Sequence, residues 1–590
     1  MTQNSKTQFT KTQICILVLS IFGLLACIAI LFPQVRQMSL NYLAVNILHK
    51  QETLSLLWHK TLMSYAMGGI FFILLFDYCT LTTTGKMYAL SVKQEINDCL
   101  AEIDFRSLLK PSLFLSGIYL LGILTIIRAN LLYHDDIGWS ITGYRDWFYW
   151  SRYVIVLLSY FIQPEINMTD ISPLPQLLSV LIMAISSALL IYITGNKKIT
   201  LIGIFASIPL GLSPYFLECM SYKFAAPYFA FSILLSIIPF LFVTRKKAFF
   251  FCSVISLLLL CLTYQAAAGL YLLLVVILVF QDWNHRKKTD KEILSFLSTA
   301  SLAFSLAMLC FKFFFMRHNN FEYINDNEAV SSSMHSLSQM LPGIFFNIKN
   351  YAITINNDLG LIWKICITLI CIFFVIKSVS TSSRNKLSSF LLSLLTIGFS
   401  CISSYGIYFL LAHPLFYPRA LFGFGAFLAV LCIYIVTDYK RTASIPILAL
   451  SWCFFVFSFS YGNALSDQAR YAEFRISILL QDLSVLYPDC DNKTIQLKNS
   501  IDFTPSIKNI SKHNPIIERL VPKRFDAEHA DTEYWSHYYL YHFNFSGLAM
   551  SNIPIYSYND FTDLNMPVVL DSYYHTIQSD GEHILITLKH

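Results

Sequence analysis

Apolar stretches recur along most of this 590-residue chain, each of roughly 18 to 25 residues, long enough to cross a hydrocarbon layer of about 30 Å. Lipid offers no hydrogen-bond partner to a backbone outside a helix or a closed barrel, so a chain built this way folds as a helical bundle in a bilayer. Composition agrees: 55% of residues are hydrophobic and only 13% charged, too apolar for a soluble multidomain protein. Thirteen candidate spans begin near Gln13, Leu62, Leu113, Gln176, Ile199, Ala226, Ala248, Ala266, Leu294, Leu359, Leu387, Ala420 and Ile445. The apolar run ending at Phe32 exceeds a typical signal h-region, so it is expected to stay as an uncleaved first span.

The net charge of +6 says little about nucleic acid here, and no nucleic-acid partner is expected. Position matters more. Lys197 and Lys198 follow the fourth span, Arg245 to Lys247 the sixth, Arg286 to Lys288 with Lys291 the eighth, Arg384 and Lys386 the tenth, and Lys440 and Arg441 the twelfth. A cytoplasmic N-terminus places every cluster on the cytoplasmic side, as the positive-inside rule requires. The opposite loops are then exterior: residues 133–175, 214–225, 264–266, 317–358, 413–419 and the tail after 461.

That tail turns polar from about residue 482. The stretches 494–497 and 583–588 alternate as half-buried strands do, the second after the turn residues Ser579, Asp580 and Gly581. With aromatics such as Tyr534, Trp535, Tyr538, Tyr539 and Tyr541, it is expected to pack as a small α+β exterior subdomain. The fold class expected is an all-α polytopic membrane protein of about thirteen helices: an extension over 1–112, a membrane domain over 113–480 and the subdomain over 481–590. Most of the 14 cysteines lie in apolar segments as small hydrophobes. Cys219 and Cys490 fall in exterior segments and read as unrelated exposed thiols.

The richest exterior loop is the first. It carries Asp135, Asp136, Trp139, Arg145, Asp146, Trp147, Trp150 and Arg152, with Arg128 just before it. Two adjacent carboxylates at a membrane boundary are costly to keep and mark a site or an ion-pair network. A carboxylate can take a proton from a sugar hydroxyl, guanidinium groups can grip phosphate, and flat aromatics can stack on pyranose faces. The bland alternative, a surface ion-pair network at a helix end, explains the charge balance but not the tryptophans. The apolar segment 153–162 is too short to span and suits an interfacial helix. Other exterior turns add Tyr222 and Lys223, Tyr264 and Gln265, and His413 with Tyr417 and Arg419. For Lys223 and Arg419 the alternative is ordinary snorkelling to the interface.

The segments DDIGWSITGYRDWFYWSR, SPYFLECMSYKFAAP, LTYQAA, HPLFYPRALFG and YGNALSDQARYAEF follow one another between residues 135 and 474. In that order they resemble the landmarks of the serotype-converting O-antigen glucosyltransferases of the glucosyltransferase II type, a likeness extending over residues 113–480. Two features depart from that pattern: the extra spans before Leu113, and Lys223 where the family more usually carries arginine.

The resemblance implies a GT-C-like glycosyltransferase at the periplasmic face of a bacterial inner membrane. It would take a hexosyl residue, commonly glucose, from a polyprenyl-phosphate carrier to O-antigen or other lipid-linked glycan units. A flippase and a polyprenyl-phosphate sugar synthase would be its companions. On this reading Asp135 or Asp136 is the general base, and Arg128, Arg152, Lys223 and Arg419 bind the donor phosphate. Trp139, Trp147, Tyr222, Gln265 and His413 would contact sugar or acceptor. No cofactor is expected, since no metal-ligand cluster is visible beyond the acidic pair. The competing readings are a lipid-linked sugar flippase, against which the scarcity of deep polar residues weighs, and an envelope polysaccharide polymerase or ligase.

Overall fold

The computed structural model describes residues 11–44, 56–316, 334–336, 338–437, 441–487, 493–526, 530–543 and 566–589. Each of the thirteen apolar segments is helical there, but their lengths differ. Among the described residues nine helices are long and apolar enough to cross a membrane, ten if Leu201–Leu212 and Pro214–Ser221, bent by 58°, form one broken span. The segments expected to span from Ala226, Ala248 and Ala420 instead form helices of 12, 16 and 14 residues, short of the ~20 needed. Proline explains part of this. Pro209 and Pro214 interrupt the i→i−4 ladder at the bend, and Pro239 tightens the end of Ala226–Ile237 into the 3₁₀ turn Ile238–Phe242. The short helix Tyr153–Ile162 exposes Leu157, Tyr160 and Phe161, the apolar face that a helix at a bilayer surface needs.

Contacts between connectors sort the bundle into two ends. At one end the basic clusters meet acids and amides from neighbouring connectors. Lys247 bonds Ser91 and, through its backbone N–H, Glu95. Lys197 reaches Glu102, Lys287 reaches Asn196, and Arg384 pairs with Asp290 at 2.7 Å. Lys440 lies outside the described residues. The turns around Asp136, Lys223, Tyr264 and Arg419 gather at the other end. The two-sided arrangement inferred from charge is therefore built into the packing.

The helix Phe105–Ala129 lies along Leu174–Thr194 and along the last helix, Ser444–Leu486. This last helix has 43 residues, about 65 Å at 1.5 Å per residue, roughly twice a bilayer core. Its first half is the apolar part. Its second half projects and carries the C-terminal subdomain, burying Ala472, Ile476, Leu479 and Leu483 against Ile495, Leu497, Ile577, Ile584 and Ile586. That subdomain is a four-stranded sheet of β1 (Thr494–Lys498), β2 (Val568–Asp571), β3 (His575–Ser579) and β4 (His583–Leu588), ordered β1-β4-β3-β2 with β1 parallel to β4. Both strands expected from alternation are present. Arg475 ties the helix to the sheet by donating to the carbonyls of Tyr574 and Lys589 at 2.6 and 2.7 Å.

Cys219, expected as an exposed thiol, is fully buried in Pro214–Ser221, because the helix that carries it folds inward beneath the exterior turns. Cys490 lies outside the described residues. Asp77, in the helix Leu56–Leu81, accepts from Ser20 in the first helix at 2.5 Å.

The close approach of Phe105–Ala129 to the last helix requires Gly462. A Cβ there would stand 2.3 Å from Thr125 Oγ1 and 2.5 Å from the Thr125 carbonyl carbon. Gly462→Ala is expected to destabilise by about 1–3 kcal/mol, as overpacked sites do. Gly398→Ala, where a Cβ would meet nothing within 4 Å, is expected to be neutral or slightly stabilising. Thermal unfolding of the two variants in detergent micelles measures both.

Candidate functional site

The helix Asp135–Thr142 begins with two acids, where the helix dipole favours negative charge. It ends at Gly143, whose φ is +67° and where a Cβ would stand 2.8 Å from the Asn167 Cβ, so only glycine fits. His134, before it, has φ +41° and ψ −108°, a strained conformation for a residue with a Cβ. Something must hold this turn against that strain. Asp136 does so: it is fully buried and accepts from the backbone N–H of Tyr133 at 3.1 Å, Lys223 at 2.8 Å and Phe224 at 3.3 Å. One carboxylate thus fastens its own turn to the turn at 222–224. Burial pushes Asp136 up to about 7, against the pull of the three N–H donors.

Asp135 faces the other way and is only half-buried. Burial raises its pKa, while Arg419 and then Arg152 draw it down. Arg419 is held by Glu218, which is itself sealed from solvent. Glu218 accepts from the Arg419 backbone N–H and from Nη1 at 3.2 Å. The guanidinium lies 4.8 Å from the Tyr417 ring centre and 5.8 Å from that of Tyr222. Arg152 lies 5.1 Å over the ring of Tyr264, and its buried Nε has no protein acceptor. The Tyr222 hydroxyl is likewise buried without a partner. Two cations, a carboxylate and a free hydroxyl therefore converge with unused hydrogen-bonding capacity, as a binding site does and a satisfied ion-pair network does not. Burial raises Asp146 to about 6, although Trp139 donates to it at 2.7 Å.

The structure brings Asp135, Arg152, Tyr222 and Arg419 together from the sequence-predicted set, and Asp136 as their anchor. Others lie elsewhere. Trp139 and Trp147 are buried, 4.7 Å apart between ring centres, and pack on Phe224 and Tyr228, so neither presents a face to a sugar. Arg128 is exposed and bonds Asn463. Lys223 is buried, its ammonium paired with Asp170 at 2.8 Å. Gln265 opens the short 3₁₀ turn beside Tyr264, and His413 is exposed before the Arg419 turn. Arg145, a candidate partner of the acids, instead spans the carbonyls of Gln163 and Ile166 and the Ser159 hydroxyl.

Several residues here escape a reading of the sequence. Glu218 is a lone acid inside an apolar segment, a weak but visible signal. Arg519, in the C-terminal subdomain, pairs with Asp358 and donates to the Phe416 carbonyl, fixing the turn that carries Arg419. Burial raises the pKa of Asp358, and Arg519 opposes this. The Leu520 carbonyl accepts from Tyr133 at 2.7 Å and Tyr461 at 3.3 Å, and Ile137 sits in the subdomain core. The subdomain therefore clamps the helix bearing the acidic pair. Among the described residues no group of three or more His, Cys, Asp or Glu side chains is placed to hold a metal ion.

The two acids should separate by experiment. Asp136→Asn replaces an acceptor oxygen with an N–H₂ facing backbone donors and is expected to lower stability by about 1–3 kcal/mol. Asp135→Asn is expected to leave stability unchanged. Thermal unfolding in micelles reads the difference.

Residues 124–436 match the family model described as glucosyl transferase GtrII, a region that includes the acidic pair, Arg152, Glu218 and Arg419. The chain is 25% identical over 425 residues to an uncharacterized 55.3 kDa protein in the gtrB 5′ region of Salmonella phage P22, covering 68% of this chain and 85% of that protein. No solved structure matches. With just over half of its length inside the family match, and its converging polar residues within that half, the chain belongs to the GtrII glucosyl transferase family.

Proposed function

We propose that the protein transfers a glucosyl residue from a polyprenyl-phosphate carrier to an O-antigen unit, at the periplasmic face of a bacterial inner membrane. Membership of the GtrII family supports the glucosyl transfer. The observation that carries the chemistry is a half-buried Asp135 within electrostatic reach of Arg419 and then Arg152, with Arg152 Nε still lacking an acceptor.

Asp135 takes the proton from the attacking acceptor hydroxyl. The hydroxyl oxygen bonds to the anomeric carbon while the bond from that carbon to the phosphate oxygen breaks. Lipid phosphate leaves with the electron pair, and the proton passes from Asp135 to water. A single displacement inverts the anomeric centre. Charge builds on the departing phosphate, where fixed guanidinium groups stabilise it most because they are already oriented. Glu218 holds Arg419 in place for this, and Tyr264 underlies Arg152. The positive-inside reading of the basic connectors supports a periplasmic position for this end of the bundle, where a lipid-linked donor is chemically apt.

Asp135→Asn should cost roughly 10²- to 10⁴-fold in transfer rate, the usual contribution of a general base, in a protein that still folds. Arg152→Gln should lower kcat by roughly 10²-fold, as loss of a preorganised charge donor does, with unchanged thermal stability. Radiolabelled sugar transfer in proteoliposomes measures both, and full activity in either variant contradicts its role. The pH profile adds a sign. The base must be ionised and its pKa is raised, so activity is expected to fall on acidification through a midpoint above the ordinary carboxylate value of about 3.9.

A further inference from the structure

A recess of about 360 Å³, including the solvent at its mouth, lies beside the 222–224 turn that Asp136 holds. Ile127 and Asn130 line it from the end of Phe105–Ala129, Ser172 and Gln176 from before and within the first turn of Leu174–Thr194, Ser221 from the end of Pro214–Ser221 and Lys223 from the turn after it. Gln176 is 3% exposed, and its Oε1 is buried without a hydrogen-bond partner. A buried amide oxygen left bare costs about 1–3 kcal/mol, which a ligand able to hydrogen-bond would recover.

The polar lining selects the ligand. The charge of Lys223 is already neutralised by Asp170 at 2.8 Å, so the recess holds no free cation for a phosphate. The Gln176 amide offers both an acceptor and donors, and Asn130 and Ser172 can do the same. A ring of hydroxyl groups, each able to donate and accept and carrying no charge, matches that set; the anionic phosphate diester of a lipid-linked sugar, which only accepts and wants a cation, does not. The Lys223 backbone N–H is bonded to Asp136, so an occupant would lie one lysine side chain from the acidic pair.

We propose that this recess is a subsite for one pyranose unit of the glycan acceptor, separate from the Arg152 and Arg419 phosphate site; its naming as an acceptor subsite rests on the transferase reading. Lys223 then belongs to acceptor recognition rather than to the donor phosphate.

The test is binding, not transfer, so it survives a failure of the transferase reading. The full chain in nanodiscs is titrated with methyl α-glucoside, methyl α-galactoside, methyl α-mannoside, methyl α-rhamnoside and inorganic phosphate, followed by saturation-transfer NMR. At least one pyranoside is expected to bind, and Gln176→Leu to weaken it roughly tenfold, the worth of about one buried hydrogen bond. Ser172→Phe, which fills the recess from its half-buried rim, should do the same if Gln176→Leu fails to fold. Phosphate binding should be unchanged in these variants and lost in Arg152→Gln. The proposal is overturned if none of the four pyranosides binds, if both recess variants bind them as the parent does, or if phosphate competes for the recess.

Discussion

A carboxylate sealed from water, with three amide N–H groups aimed at it, holds this site together. Asp136 joins the turn after Phe105–Ala129 to the turn after Pro214–Ser221, two segments that are distant in sequence. Without that bond nothing local would keep His134 at φ +41°, and the first turn of Asp135–Thr142 would relax. The anchor also decides where its neighbour points. Asp135 is left half-buried towards Arg152 and Arg419 while Asp136 is consumed by structure, so adjacent acids have divergent roles set by their surroundings alone.

The cationic side is arranged by the same logic. Arg419 is fixed by a sealed glutamate, and its turn is pinned from above by Arg519. Arg152 is held over a tyrosine ring and keeps a donor unused. Positioning by sealed partners lets these charges meet a developing anion without reorganising. The C-terminal subdomain takes part, because the projecting half of the last helix sets it over the acidic helix and Leu520 accepts from two tyrosines beneath it.

Much of the fold was legible because its signals are local. Apolar length marked the thirteen candidate segments, charge sorted the connectors, and alternation found β1 and β4; the polar helices Thr83–Ala101 and Met340–Asp358 carried no such signal. Span counts were less legible: whether a proline bends a helix or merely begins one depends on what packs against it, as at Pro209 and Pro214. The acidic pair was visible as an anomaly of cost. Its division of labour was not, since Asp136 is defined by backbone groups 87 and 88 residues away. Trp139 and Trp147 misled for a related reason: tryptophan beside acids suits a sugar platform and a loop core equally, and only packing distinguishes them. Arg519 could not have been found, because its partner Asp358 lies 161 residues earlier.

The account stands on the placement of a lipid phosphate between Arg152 and Arg419 with the anomeric carbon facing residue 135. A cryo-electron microscopy structure of Asp135→Asn in a nanodisc with polyprenyl-phosphate glucose tests this directly. The account predicts phosphate density bridging the two guanidinium groups, with the sugar beside Asp135. Phosphate density beside Lys223 and Asp170, or away from both arginines, would contradict it.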